Sequence, residues 1–156
     1  MKKITLLAIT ALMILSIGNL SAQIRSNYRQ KVMNWTRTAS RIDNRFFTLY
    51  TDEAKRIADN LVLYQLDSGA WPKNIYFPGE ITAEQHKKIF ESKKHLENGT
   101  IDNGSTTTEI IYLSKVYNVT REKKYKQAAL KGIKYLLKAQ DKNGGWPQFY
   151  PNAKGY

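Results

Sequence analysis

Two oxygen-bearing side chains, Asp102 and Asn103, stand side by side in the stretch Thr100-Ile101-Asp102-Asn103-Gly104-Ser105-Thr106. Hard cations such as calcium prefer carboxylate and amide oxygens, and a glycine-flanked loop just before a helix can present two of them together. The pair is therefore a candidate metal site. Asp-Asn and Asn-Gly are equally ordinary turn formers, and Asp102 could instead cap the helix that follows. Taken alone, the residues leave both readings open. His86 and His95 lie nine positions apart and miss the i, i+4 spacing of a helical metal pair, so both read as surface residues. The chain has no cysteine, which excludes disulfides and thiolate metal sites.

The elements that must carry such a loop are helical. Asp52 to Leu66 places Ala54, Ile57, Ala58, Leu61 and Val62 on one face, the i, i+3, i+4, i+7 pattern of a half-buried helix. A second helix is expected from Thr82 to about Lys94, opened by the capping-box pattern Thr82-x-x-Gln85. A third runs from about Thr106 to Val119, with Ile110, Leu113, Val116 and Tyr117 inward and Glu109 on the other side. The fourth is expected from Thr120, as N-cap, to Gln140. Nothing after Tyr28 reads as a strand, so the fold class is all-α.

An ungapped repeat with an offset of 75 residues links the ends of the first and fourth helices. Gln65, Gly69 and Trp71-Pro72 align with Gln140, Gly144 and Trp146-Pro147. Glycine past a helix end can adopt the left-handed conformation that stops it, and proline prevents its resumption. Glutamine can bond the orphan carbonyls there. Tryptophan buries a large surface, and its face suits helix packing and the wall of a binding groove alike. Two such endings in one register imply stacked helix pairs.

The N-terminus reads as a secretory signal peptide over residues 1–22: Met1-Lys2-Lys3, an apolar run from Ile4 to Ile17, and a small-residue cut region at Ser21-Ala22. The run is too short for the roughly 20 apolar residues of a membrane span. The expected divisions are this leader, an N-terminal segment over 23–50, and a helical domain over 51–156. After the leader, 23 basic residues face 13 acidic ones, and a basic exported chain attracts acidic polymers. Charge alone does not choose among them.

With their flanks included, Gly69-Ala70-Trp71-Pro72-Lys73-Asn74, the Thr100 to Thr106 stretch, and Gly144-Gly145-Trp146-Pro147-Gln148-Phe149-Tyr150-Pro151 resemble, in that order, three signatures of the pectate lyases of polysaccharide lyase family 10. Ala70 departs from a glycine more usual there. The resemblance spans about Thr51 to Tyr156. It implies an (α/α) toroid of helical hairpins and calcium-dependent (Ca2+) β-elimination on polygalacturonate, with Asp102, and Asn103 beside it, in the calcium site. Lys73 is the candidate cation for a substrate carboxylate, Lys154 a second, and Trp71 and Trp146 are candidate substrate-binding residues.

The resemblance places the catalytic base, an arginine, beyond Tyr156, so the chain reads as an N-terminal portion expected to be poorly stable and inactive by itself. Partners follow suit: polygalacturonate, no nucleic acid, no membrane once the leader is removed, a monomer, secreted or periplasmic. The alternative is a non-catalytic helical toroid that binds acidic polysaccharide. A terpene cyclase would share the glutamine-tryptophan repeat but needs an aspartate-rich acid motif absent from this sequence.

Overall fold

The structure, a computed structural model, describes residues 21–151. The leader expected over 1–22 therefore lies, except for its last two positions, outside the described residues, as does Lys154. Among the described residues no helix is long and apolar enough to cross a membrane.

Among the described residues six α-helices carry the fold: α1 over 21–38, α2 at Asn44–Leu49, α3 at Thr51–Tyr64, α4 at Ala83–Ser92, α5 at Thr107–Thr120 and α6 at Lys123–Ala139. α1, which starts two residues earlier, and α2 fill the segment 23–50, for which sequence periodicity predicts no element. α1 is mostly exposed and anchors itself by few side chains, chiefly Val32 and Trp35. The Trp35 ring sits 6.0 Å from Phe77 and 5.4 Å from Tyr112. α2 starts where the Asp43 carboxylate accepts a hydrogen bond from Arg45 N at 2.7 Å, a standard N-cap.

α3 buries Ala54, Ile57, Ala58 and Leu61, most of the stripe its periodicity predicts. α4 opens with the expected capping box: Gln85 N donates to Thr82 Oγ1 at 3.2 Å, and Thr82 N donates to Gln85 Oε1 at 2.8 Å. α5 is the central helix, and its buried residues run round most of its circumference because α2, α3 and α6 pack against it. Glu109 is accordingly only 4% exposed, which corrects its placement on an outer face.

The fourth helix begins later than Thr120. That residue ends α5, where its hydroxyl donates to Val116 O at 2.9 Å, and Arg121 follows in the left-handed conformation with φ 60. Glu122 precedes the first turn of α6. α6 is pinned to α3 at this end by Tyr125 Oη, which donates to Asp59 Oδ1 at 3.0 Å, and by Lys55 with Glu122 at 2.7 Å. Farther along, Gly132 is where three parts of the core meet. A Cβ there would lie 2.7 Å from Ile110 Cγ1 and 2.9 Å from Trp71 Cζ3, contacts no side chain could accept.

The repeat is structural as well as textual. Trp71 Nε1 donates to Leu61 O at 2.7 Å and Trp146 Nε1 to Leu136 O at 2.8 Å, each ten residues back. Gln65 Nε2 donates to Gly69 O at 2.9 Å and Gln140 Nε2 to Gly144 O at 3.0 Å. Both glycines have positive φ, 102 and 86. Each glutamine thus closes the turn that its glycine makes possible.

Candidate functional site

The three signature loops are separate in sequence and joined in space by Thr100. Its backbone forms isolated antiparallel bridges with Trp71 on one side and Phe149 on the other. Thr100 N donates to Trp71 O at 3.3 Å, Ile101 N donates to Gln148 O at 3.0 Å, and Thr100 Oγ1 donates to the same Gln148 carbonyl at 2.7 Å. Thr106 locks the assembly from beneath: its hydroxyl accepts from Trp71 N at 3.1 Å and donates to Thr100 O at 2.8 Å. Thr106 is fully buried with φ 68, an outlier for a β-branched residue. Strain of this kind persists where the surroundings over-determine it, and it clusters at functional sites.

On this frame three donors converge on one oxygen. Asp102 Oδ2 accepts from Lys73 Nζ at 2.9 Å, Gln148 Nε2 at 2.9 Å and Asn103 Nδ2 at 3.2 Å. The Lys73 ammonium, foremost among these, holds the Asp102 carboxyl below its usual range, with Gln148 adding to the effect and partial burial opposing it. Asp102 is therefore ionised at neutral pH. Lys73 Nζ also lies 5.2 Å from the centre of the Phe149 ring, within cation–π range. About a quarter of each side chain of the Lys73–Asp102 pair is exposed, so the pair stays reachable by solutes.

The structure thus brings Lys73, Asp102 and Asn103 together with Phe149, an aromatic whose face, like those of the tryptophans, suits packing and a groove wall alike, and adds Gln148, which sequence reading does not single out as a site residue. A signal for Gln148 was present: it stands 75 positions after Lys73, two residues past the second tryptophan as Lys73 is past the first. Trp71 is corrected. With 0% exposure it offers no surface to a ligand and serves the core. Trp146 is 48% exposed and keeps a face to solvent. Asp102 does not cap α5; Thr106 holds that position, without a side-chain cap bond.

The donor chemistry at Asp102 and Asn103 suits a hard cation, which takes six to eight oxygens. These two residues contribute a carboxylate and an amide oxygen, and no group of three His, Asp or Glu side chains among the described residues completes a set. None of the three bonds described above falls on Asp102 Oδ1.

Residues 65–156 match the family model described as pectic acid lyase. Among solved structures, an aspartate-to-alanine mutant of a family 10 polysaccharide lyase from Cellvibrio cellulosa, in complex with trigalacturonic acid, is 31% identical with a TM-score of 0.54, over 79% of this chain and 32% of that one. The same organism's family 10 polysaccharide lyase aligns at 30% identity and TM-score 0.53, over 83% of this chain and 34% of that one. The chain thus spans about a third of the length of these relatives. No curated protein matches it. These likenesses extend the all-α reading to the (α/α) toroid.

Proposed function

Since the chain belongs to the pectic acid lyase family, we propose that it serves the calcium-dependent β-elimination of polygalacturonate, with Lys73, Asp102 and Asn103 at the reacting uronate. The observation that carries this reading is the meeting of all three signature loops at the Asp102 carboxylate. A structural loop has no need to gather an ammonium and two amides on one oxygen that remains reachable from solvent.

β-Elimination removes the proton on C5 of a uronate, forms the C4–C5 double bond and breaks the bond from C4 to the leaving oxygen. Charge develops next to the C6 carboxylate, so the reaction needs cationic groups at that carboxylate and a base near C5. Lys73 supplies the first requirement. Its ammonium is already paired with an anion, and a substrate carboxylate can share it with or take it from Asp102 at similar electrostatic cost. Gln148 and Asn103 keep Asp102 oriented during that exchange. Asp102 and Asn103 would supply two oxygen ligands to calcium, which when bound acts as a Lewis acid on the C6 carboxylate. Export to the periplasm or beyond, where such polymers are met, belongs to the same proposal.

The test is calorimetric titration of the chain with trigalacturonate in calcium and in chelator, alongside the ultraviolet absorbance of unsaturated uronide product. Calcium-dependent binding that disappears in Asp102→Ala supports the site; equal binding in calcium and chelator overturns the metal role. A second reading, a toroid that binds acidic polysaccharide without cleaving it, is favoured by one observation: the groups gathered at Asp102 are binders, and no base is among them. Because the base is expected beyond Tyr156, the absorbance decides between the two readings only in the longer protein of which this chain is expected to be the N-terminal portion: there, calcium-dependent affinity with no product absorbance, in a folded protein, selects the binding reading.

A further inference from the structure

A cavity of about 630 Å3 opens between α1 and the two loops that carry the Lys73–Asp102 cluster. Its size falls within the range of small-molecule sites, about 300–1,000 Å3. α1 contributes Tyr28, Arg29, Met33 and Arg37, and the loops contribute Asn74 and Asn103. Asn74 directly follows Lys73, and Asn103 directly follows Asp102, so the cavity begins where the cluster ends. Both asparagines hold left-handed backbone, φ 67 and 53, a conformation asparagine tolerates better than most residues.

The charge of this cavity is one-sided. Two arginines line it and no acidic residue does. Arg25, Arg45, Arg56 and Arg121 each engage a group of the protein, whereas Arg29 and Arg37, like Arg41 outside the cavity, engage none among the described residues. The arginine helix is also held in place rather than loose: Tyr28 Oη donates to Asn74 O at 3.5 Å and accepts from Tyr76 N at 3.4 Å, while Trp35 is buried about two turns away. Guanidinium groups are shaped for carboxylates, which they bind in a planar, two-point fashion. The two stand eight positions apart on the helix, about 12 Å along the axis, so they address different carboxylates rather than one.

We propose that this cavity is a binding subsite for the uronate residues flanking the one held at Lys73, with Arg29 and Arg37 taking successive carboxylates and the amides of Asn74 and Asn103 taking sugar hydroxyls. This rests on the function proposed above and assigns to α1 a role in substrate recognition. The subsite would make the protein favour de-esterified stretches of polymer, because a methyl ester removes the charge that an arginine reads.

Calorimetry on the chain with trigalacturonate and with its methyl ester tests it, using Arg29→Gln, Arg37→Gln and, as a control, Arg41→Gln, an exposed arginine outside the cavity. Each cavity variant should weaken trigalacturonate binding about tenfold, as expected for one charged hydrogen-bonded contact, and leave methyl-ester binding as in the parent. Arg41→Gln should match the parent, and all three should melt at the parental temperature. Parental affinity in both cavity variants, or equal weakening in all three, overturns the subsite. If Lys73→Met loses binding while the cavity variants do not, the proposed function stands and the subsite falls. If the parent chain binds no trigalacturonate, both fall.

Discussion

The corner from Gln65 to Trp71 and the corner from Gln140 to Trp146 make the same internal bonds in opposite surroundings. At the first, Trp71 is 0% exposed and Gln65 is 6% exposed, and Gln65 Nε2 reaches a second carbonyl, Ala128 O on α6, at 2.9 Å. At the second, Trp146 is 48% exposed and, among the described residues, the Gln140 side chain bonds only within its own turn. A Cβ on Gly69 would meet Lys131 O at 2.5 Å, whereas one on Gly144 would meet nothing within 4 Å. The shared sequence pattern therefore encodes a local turn, and packing against α6 turns one copy of it into a core element. The site draws on both: the buried corner supplies Lys73 and the open corner supplies Gln148.

Substituting the tryptophans should separate the corners most. Trp71→Ala removes a fully buried ring and should cost about 3–5 kcal/mol, while Trp146→Ala should cost about 1 kcal/mol, the scale of its single hydrogen bond. Denaturant titration measures both, and equal losses would break the comparison. The interior behind the first corner also holds a titrating group. Glu109 lies one turn beyond Thr106, and burial pushes its carboxyl up to about 7 from 4.5, against smaller opposing pulls from its own N–H, that of Thr106 and the Trp35 indole. The indole pull is weak, since neither Trp35 Nε1 nor Glu109 Oε2 completes a hydrogen bond.

Between pH 4.5 and 7 the folded chain keeps a proton on Glu109 that the unfolded chain has released. Stability contributed by this group is thus greatest in acid, falls as pH rises through that window and levels off above it, by about 3 kcal/mol in all. Glu109→Gln should flatten that part of the pH–stability curve; an unchanged slope would show that the carboxyl is not the group responsible. The glycines come next. Gly144→Ala meets only the cost of a left-handed alanine, about 1–2 kcal/mol, and Gly69→Ala adds overpacking of about 1–3 kcal/mol against α6. Smallest is the glutamine pair, where Gln65→Ala should exceed Gln140→Ala by about 1–2 kcal/mol because it removes a buried bond to Gly69 O and a second bond that ties the corner to α6 at Ala128 O. Thermal melts of these four variants rank the corners independently of the tryptophans.

Legibility in the sequence followed periodicity and motif. α3 and α4 were readable because their apolar stripe and capping box are local, and the repeat gave both corners. α1 was not, since its polar surface leaves Val32 and Trp35 as scattered anchors without a period. A single apolar stripe in α5 sets Glu109 outward, and only the packing of α2, α3 and α6 shows that the helix has no outer side there. The site was legible as three motifs and illegible as a geometry: nothing in residue order says that an ammonium at 73 and an amide at 148 share one carboxylate oxygen. Register within the repeat was the available clue, and it pointed to Gln148.

Thr100 has a consequence for the order in which the molecule assembles. Its hydroxyl bonds a carbonyl 48 residues away, and the Lys73–Asp102 pair closes across 29, whereas the helices form from contacts a few residues apart. Long closures carry their entropy cost before any contact repays it. After dilution from denaturant, helical ellipticity should therefore return ahead of trigalacturonate binding. On this view the three loops reach their joined shape after both corners have turned, so the proposed recognition of uronates would be the last property of the chain to mature.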